Sequence, residues 1–250
     1  MNTQGNINTD KLEILQTVGK KIIIEIVETQ RKIQLNKTLS VAEHDNVQYL
    51  FLLLNYDRDF HRNFFINIKD HAHAQLSFCY FGTKNIYVNV DCKIGHQALV
   101  DYETICFAAG NQQCFFDEKY QFIAPGGRGY FNMHSLVNQT ANSSYKGKIV
   151  IEKQARQADG RLDVVAYVLS ARAHSHVLPS LSVKVDDVKA IHTAKVSPIS
   201  AEQLFYLQTR GVKGTAVKKL IADGVLAILI NKLTDKNLQN KILKAATKKI

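Results

Sequence analysis

Residues 179–211 read PSLSVKVDDVKAIHTAKVSPISAEQLFYLQTRG, and the two halves of this stretch obey different periods. In the first half apolar and polar positions alternate, with Leu181, Val183, Val185 and Val188 as candidate inward residues, the period-2 pattern of strands with one buried face. The second half has helical spacing. Ser200 can cap it, Gln203 completes an S-x-x-Q box, Leu204, Leu207 and Gln208 follow, and Gly211 is placed for a left-handed stop. The chain therefore passes here from strands to helices.

Upstream the texture is strand after strand: KKIIIEIV (20–27), RKIQLN (31–36), VQYLFLLLNY (47–56), FFINIK (64–69), AQLSFCYF (74–81), KNIYVNVDCKIG (84–95), VDYETICFAAG (100–110), YQFIAPGG (120–127), GKIVIE (147–152) and DVVAYVLS (163–170). The runs are short, rich in Ile, Val, Phe and Tyr, and separated by Asn, Asp, Gly, His and Lys. This is all-β material, compatible with a sandwich, a barrel or a β-helix. No repeat of fixed spacing is visible, but short connectors with no Asn-Gly or Asp-Gly hairpin turn expected in the body favour a solenoid. Ahead of it, residues 1–20 read as an N-terminal extension, a frayed start or a short helix over 11–16. Downstream, a second helix is expected from Thr215 to about Asn231, with Val217, Leu220, Ile221, Gly224, Val225, Ile228 and Leu229 on overlapping apolar faces, and a third from Asp235 with Leu238, Ile242, Leu243 and Ala246 inward.

Composition narrows the function class. The 250 residues suffice for one sizeable domain or a domain with an appendage. A net charge of +10 is compatible with an anionic partner, yet Lys and Arg are spread along the chain and cluster mainly in the last helix, so nucleic acid is not the expected partner. The first ten residues lack the order of a secretory leader, and the longest tight apolar run, 225–230, is far below the ~20 residues of a spanning helix. A cytoplasmic protein without a membrane segment is expected. Cys79, Cys92, Cys106 and Cys114 form no C-x-x-C pair and match no ferredoxin-type run; beside Phe, Val and Ile they read as core hydrophobes. Gly126, Gly127, Arg128 and Gly129 read as a turn, since they lack the Lys-Ser/Thr and helix context of a phosphate loop. No G-x-S-x-G, H-E-x-x-H or paired-carboxylate pattern stands out, and no enzyme is expected.

The same stretch carries a family resemblance. DDVKAIHTA followed by ISAEQLFYLQTRGV resembles the C-terminal signature of the SufB/SufD scaffold proteins of iron–sulfur cluster assembly, in SufD-like form P-x-L-E-I-x-x-D-D-V-K-x-x-H-G-A-x-V, then E-Q-L-F-Y-L-x-S-R-G-I. Pro179, Leu181, Asp186, Asp187, Val188, Lys189, His192, Ala194, Val196, Gln203, Leu204, Phe205, Tyr206, Leu207, Arg210 and Gly211 stand in register with it. The resemblance implies a right-handed parallel β-helix over residues 21–199 and a helical segment over 200–250 that docks the partner ATPase SufC. The long N-terminal helical domain of many members has no room in this sequence.

Two residues gain a role only through that resemblance. His192 alone reads as a hydrogen-bonded residue at a strand end; matched to the family's H-G-A motif it becomes a candidate for handling iron or a nascent cluster at an interface between two scaffold subunits, although Thr193 replaces the motif's Gly. His176 matches the His of the SufB-like G-D-x-C-G-A-H-T-x-P, whereas Ala173 stands where that motif has its sulfur-accepting Cys, so the chain is SufD-like. His174 and His176 share one strand face by their i, i+2 spacing. Gln203, Leu204, Phe205, Tyr206, Leu207, Arg210 and Gly211 are the expected ATPase-docking residues. The resulting expectation is a SufD-like scaffold subunit with no tightly bound cofactor, a transient iron–sulfur cluster at a subunit interface, and as partners a SufC-type ATPase and a SufB-like subunit or a second copy. The alternative is a β-solenoid module that binds an acidic polymer, nucleic acid or carbohydrate, through its basic surface.

Overall fold

The computed structural model describes residues 11–17, 20–28, 35–199, 201–212, 214–233 and 235–250. They form a β-solenoid of about six turns with a short helical C-terminal part. One sheet, here sheet A, holds β1 (Lys11–Thr17), β2 (Lys20–Val27), β4 (Asn46–Leu54), β6 (His73–Phe81), β8 (Leu99–Ala108), β10 (Arg128–Val137), β12 (Asp159–Val168) and β14 (Lys189–Pro198), in that spatial order. The other, sheet B, runs β13 (His174–Val183), β11 (Asn142–Ile151), β9 (Gln113–Phe122), β7 (Ile86–Ile94), β5 (Phe60–Ile68) and β3 (Asn36–Val41). Each coil gives one strand to each sheet. Among the described strands, β1 and β2 pair antiparallel and every other pair is parallel.

Several sequence expectations change in detail. Residues 11–17, read as a frayed start or short helix, are a strand. The strand expected at 31–36 lies mostly outside the described residues, and β3 begins at its last position. Strand β10 gives no clear strand signal in the sequence because its outward positions Arg128, Asn132 and His134 dilute the apolar run, and the body does contain an Asp-Gly pair, Asp159-Gly160, which opens β12 and forms no hairpin. No repeat was visible because the coil length drifts: stacked residues are 27 and 26 apart at Asn36–Asn63–Asn89 but 31 and 30 apart at Gln139–Ser170 and Asp163–Thr193.

The corners recur in space instead. His44, His71, Gln97, Gly126, Gln157 and Asp187 each turn one corner with positive φ. Their backbones bond from coil to coil, His71 N to His96 O at 2.8 Å and Gly126 N to Arg156 O at 2.8 Å, which offsets a left-handed conformation costing about 1–2 kcal/mol for a residue with a side chain.

The two sheets differ in what covers them. Most sheet B strands alternate, as in β5, because one face meets the lumen and the other solvent. Sheet A strands turn continuously apolar toward their ends, as in YLFLLL of β4, because both faces are buried there. The outer cover is α2 (Gly214–Ile230) and α3 (Lys236–Thr247), whose Ala222, Val225, Leu226, Leu229, Leu238, Ile242 and Ala246 pack on Leu50, Leu52, Leu54, Phe81, Ile105 and Phe107. Asp235 caps α3 by accepting from the Asn237 and Leu238 amides. Asn138, only 2 % exposed, pins the tail: its Nδ2 donates to the carbonyls of Lys249 and Ile250, and its Oδ1 accepts from Lys218.

The lumen is filled by aromatic rings, Tyr120 stacking on Phe131 at 3.8 Å and Phe78 on Tyr102 at 5.0 Å. Two carboxylates lie among them. Glu118, fully buried, accepts from Tyr102, Thr104, Tyr120 and Tyr145. Glu25, near the first coil, accepts from Tyr49 at 2.7 Å and Arg62 at 2.8 Å, with Lys37 at 3.0 Å.

Candidate functional site

The site is built from the last coil. Strands β13 and β14 lie at the edges of sheets B and A respectively, each paired on one side only. Leu181 stands beside Ile149 and Val183 beside Ile151, both lumen residues, so the sequence reading of Leu181 and Val183 as inward is correct in direction. Among the described residues no further coil covers them, and they stay 36 % and 45 % exposed. Val196, beside Ala166 on the other wall, is 45 % exposed for the same reason. Val185 and Val188 pack against the core from the corner between the two strands, where Asp187 takes the positive φ that Asp tolerates better than most side chains. A cleft of about 350 Å³ lined by Arg128, Gln157, Asp159, Asp187, Val188 and Lys189 flanks that corner.

His192 belongs to this open end. It stands beside the buried Leu162 on β12, which puts it on the lumen side of β14, exposed where the next coil would be. Its neighbour Thr193 faces outward and donates to Asp163 at 2.5 Å. His176 stands beside Ser144 on the outer face of sheet B, in one row with Phe115, Tyr87 and His61, whose rings stack at 5.4 and 4.4 Å. The structure thus does not bring His176 and His192 together within one chain. His174 and His176 are both exposed. Among the described residues, no group of three or more His, Cys, Asp or Glu side chains is placed to hold a metal. The four cysteines are free and buried: Cys92, Cys106 and Cys114 line the lumen and Cys79 lies under the helices. Burial pushes the Cys79 and Cys92 thiols up, so neither is a ready thiolate.

Beyond β14 the chain passes through Ile199 into α1 (Ala201–Thr209). Ser200, read as its cap, lies outside the described residues, as do the side chains of Gln203 and Leu204. Gly211 ends the helix as expected, with φ 82° and the Val212 amide bonded to Leu207 O at 2.9 Å. Phe205 and Tyr206 are 68 % and 58 % exposed, and the Arg210 guanidinium lies 5.4 Å from the Tyr206 ring centroid. Leu220 of α2, expected on a packed face, is 64 % exposed instead, because α2 buries only the stripe that meets sheet A. An apolar surface at the tail and an open coil at the end of the solenoid therefore lie one strand apart in sequence.

The family model described as SUF system FeS cluster assembly, SufBD core domain, matches residues 28–225. The chain is 27% identical over 150 residues to the iron–sulfur cluster assembly protein SufD of Bacillus subtilis, covering 60% of this chain and 34% of that protein. It is 28% identical over 120 residues to SufD of Escherichia coli, covering 46% and 28%. With an iron–sulfur cluster assembly SufBD family protein of Pyrococcus horikoshii it shares 33% over 99 residues, 40% and 22% of the two chains. The aligned stretch thus spans about a third or less of each of these relatives.

Proposed function

The chain belongs to the SufBD core family of the SUF iron–sulfur cluster assembly system, and from that premise we propose that it is a SufD-like scaffold subunit of the cytoplasm that pairs through its open last coil and docks a SufC-type ATPase through α1. The observation that carries the reading is the exposed end of the solenoid. Two edge strands with free backbone groups and the apolar Leu181, Val183 and Val196 form a surface that strand addition from a SufB-like subunit, or from a second copy, would bury. His192 then lies inside that junction, where a neutral imidazole can ligate iron carried there as cargo. No tightly bound cofactor is needed, and a nascent cluster would reside only between subunits. His176, outside the junction, can reach it only if the partner wraps the rim.

Exposed Phe205 and Tyr206 on a single short helix give the ATPase an apolar handle. Because α1 follows β14 so closely, displacement of α1 by the ATPase acts on the strand that bears His192. The domain reading of 21–199 as the solenoid core and 200–250 as the docking segment follows this division of labour. Binding of an acidic polymer on the basic surface is the alternative, and it would weaken steeply with salt, whereas apolar docking would not.

The test is co-purification with the SUF ATPase and the SufB-like subunit of the same source. Removing residues 201–250 would strip the apolar outer face of sheet A, so the informative variant is Phe205→Ala with Tyr206→Ala. Retention of the SufB-like subunit with loss of the ATPase supports both halves of the proposal. If neither partner is retained by the unaltered chain, the scaffold role fails.

A further inference from the structure

We propose that Glu103, His134 and Lys232 form a proton-responsive clasp that sets how firmly the turn between α2 and α3 is held to the solenoid. Glu103 points outward from β8 and is only 5 % exposed. Its Oε1 lies 3.2 Å from His134 Nε2 on β10, and its Oε2 lies 3.7 Å from Lys232 Nζ, in the turn that follows α2. Neither Glu103 Oε1 nor His134 Nδ1 has a hydrogen bond of good geometry. A buried carboxylate with so little hydrogen bonding depends on neighbouring positive charge.

The other groups around it supply none. In the same row across the sheet stand Ser77 of β6 and Asn132 of β10, both neutral, and then Asp163 of β12, which is engaged by Arg161 and Thr193 and is a second anion within electrostatic reach of His134. On its own strand Asp101 faces His73 at 3.6 Å, two residues away. The buried Cys79 thiol stays protonated. Among the described residues, the cations that face Glu103 are therefore Lys232 and, when protonated, His134. A cleft of about 330 Å³ lined by Gln48, Gln75, Ser77, Asp101, Glu103 and Lys232 gives protons and water a route to the pair.

The consequence is competition. With His134 neutral, Lys232 is the one cation among the described residues opposite Glu103, and the tail turn is drawn to the sheet. Protonation of His134 supplies a second cation from within the solenoid, so Lys232 becomes dispensable and the turn loosens. Histidine changes charge between pH 5 and 8, so the clasp responds within the cellular range. By reciprocity of linkage, whatever His134 takes from Lys232 in grip, Lys232 takes from His134 in proton affinity.

The test is titration of the His134 imidazole by NMR, its signal assigned with His134→Gln, in the full chain and in Lys232→Met and Glu103→Gln. Lys232 is half exposed, so its replacement leaves the fold intact. Lys232→Met is expected to raise the His134 midpoint and Glu103→Gln to lower it, since the first removes the cation and the second the anion of the cluster. Amide exchange across the turn, corrected for intrinsic rates, is expected to be faster at pH 5.5 than at pH 8, with the difference lost in Lys232→Met. A His134 midpoint unmoved by both substitutions overturns the clasp, and so does turn protection that ignores pH in the unaltered chain.

Discussion

At the scale of single residues, the two lumen carboxylates give opposite pH dependences. Burial pushes the Glu118 carboxyl up, and its four hydroxyl donors pull it back without cancelling that. The folded chain then holds this proton more tightly than the unfolded chain, where Glu titrates near ~4.3. Its stabilising contribution is complete below that value and disappears as pH rises through the raised folded value. Urea unfolding of the native chain against Glu118→Gln is therefore expected to show a difference that grows against the native chain from pH 4.5 to 7; a difference flat in pH would contradict it. For Glu25, burial likewise raises the carboxyl, but Tyr49, Arg62 and Lys37 together outweigh it and leave it lowered. That contribution is present above ~4.3 and is lost as pH falls through the lowered folded value. Arg62→Met removes its nearest cation and is expected to cost about 3–5 kcal/mol at pH 7, with a smaller loss in acid. His192→Ala should leave the unfolding midpoint unchanged, because the imidazole is exposed, while abolishing cluster assembly with the SUF partners. Full assembly by that variant would remove His192 from the site.

At the scale of elements, the tail divides into a strap and, on the function proposed, a handle. Helices α2 and α3 are the strap: Leu229 and Ile242 are 1 % and 0 % exposed on the outer face of sheet A. Ile242→Ala is expected to cost about 2–5 kcal/mol and to speed amide exchange in α2 and α3 before the lumen strands. The handle is α1, where Phe205→Ala with Tyr206→Ala should change stability by no more than ~0.5 kcal/mol, since surface changes rarely do more. Loss of ATPase binding with unchanged thermal unfolding would separate the two roles; loss of both would merge them. The helices were legible from local signals, Gly211 and Asp235 among them, because caps and stops act over a few residues. Which side chains of α2 stay exposed was not legible, since a largely apolar helix such as GTAVKKLIADGVLAILI offers overlapping stripes and the sheet selects one.

At the scale of the molecule, the solenoid is closed along its length and open at its last coil. A protein with two free edge strands and an apolar floor should associate, so sedimentation is expected to show concentration-dependent pairing or capture of the SufB-like partner, and Leu181→Lys, placed in that floor, should abolish either without lowering the unfolding midpoint. A monomer indifferent to partner and concentration would refute the role of the open end. By itself the sequence determined the strand-rich body, the helical tail, the inward direction of Leu181 and Val183 and the family signature, because alternation, capping and motif residues are properties of neighbours along the chain. It did not determine that the coils stack with steps drifting from 26 to 31 residues, that the tail returns over sheet A and not sheet B, that His192 ends inside an unfinished coil while His176 lies on an outer face, or that Glu103 meets Lys232. Those are pairings between residues far apart in sequence. They depend on which surfaces bury most apolar area when the coils close on one another, and only the tertiary structure fixes that choice.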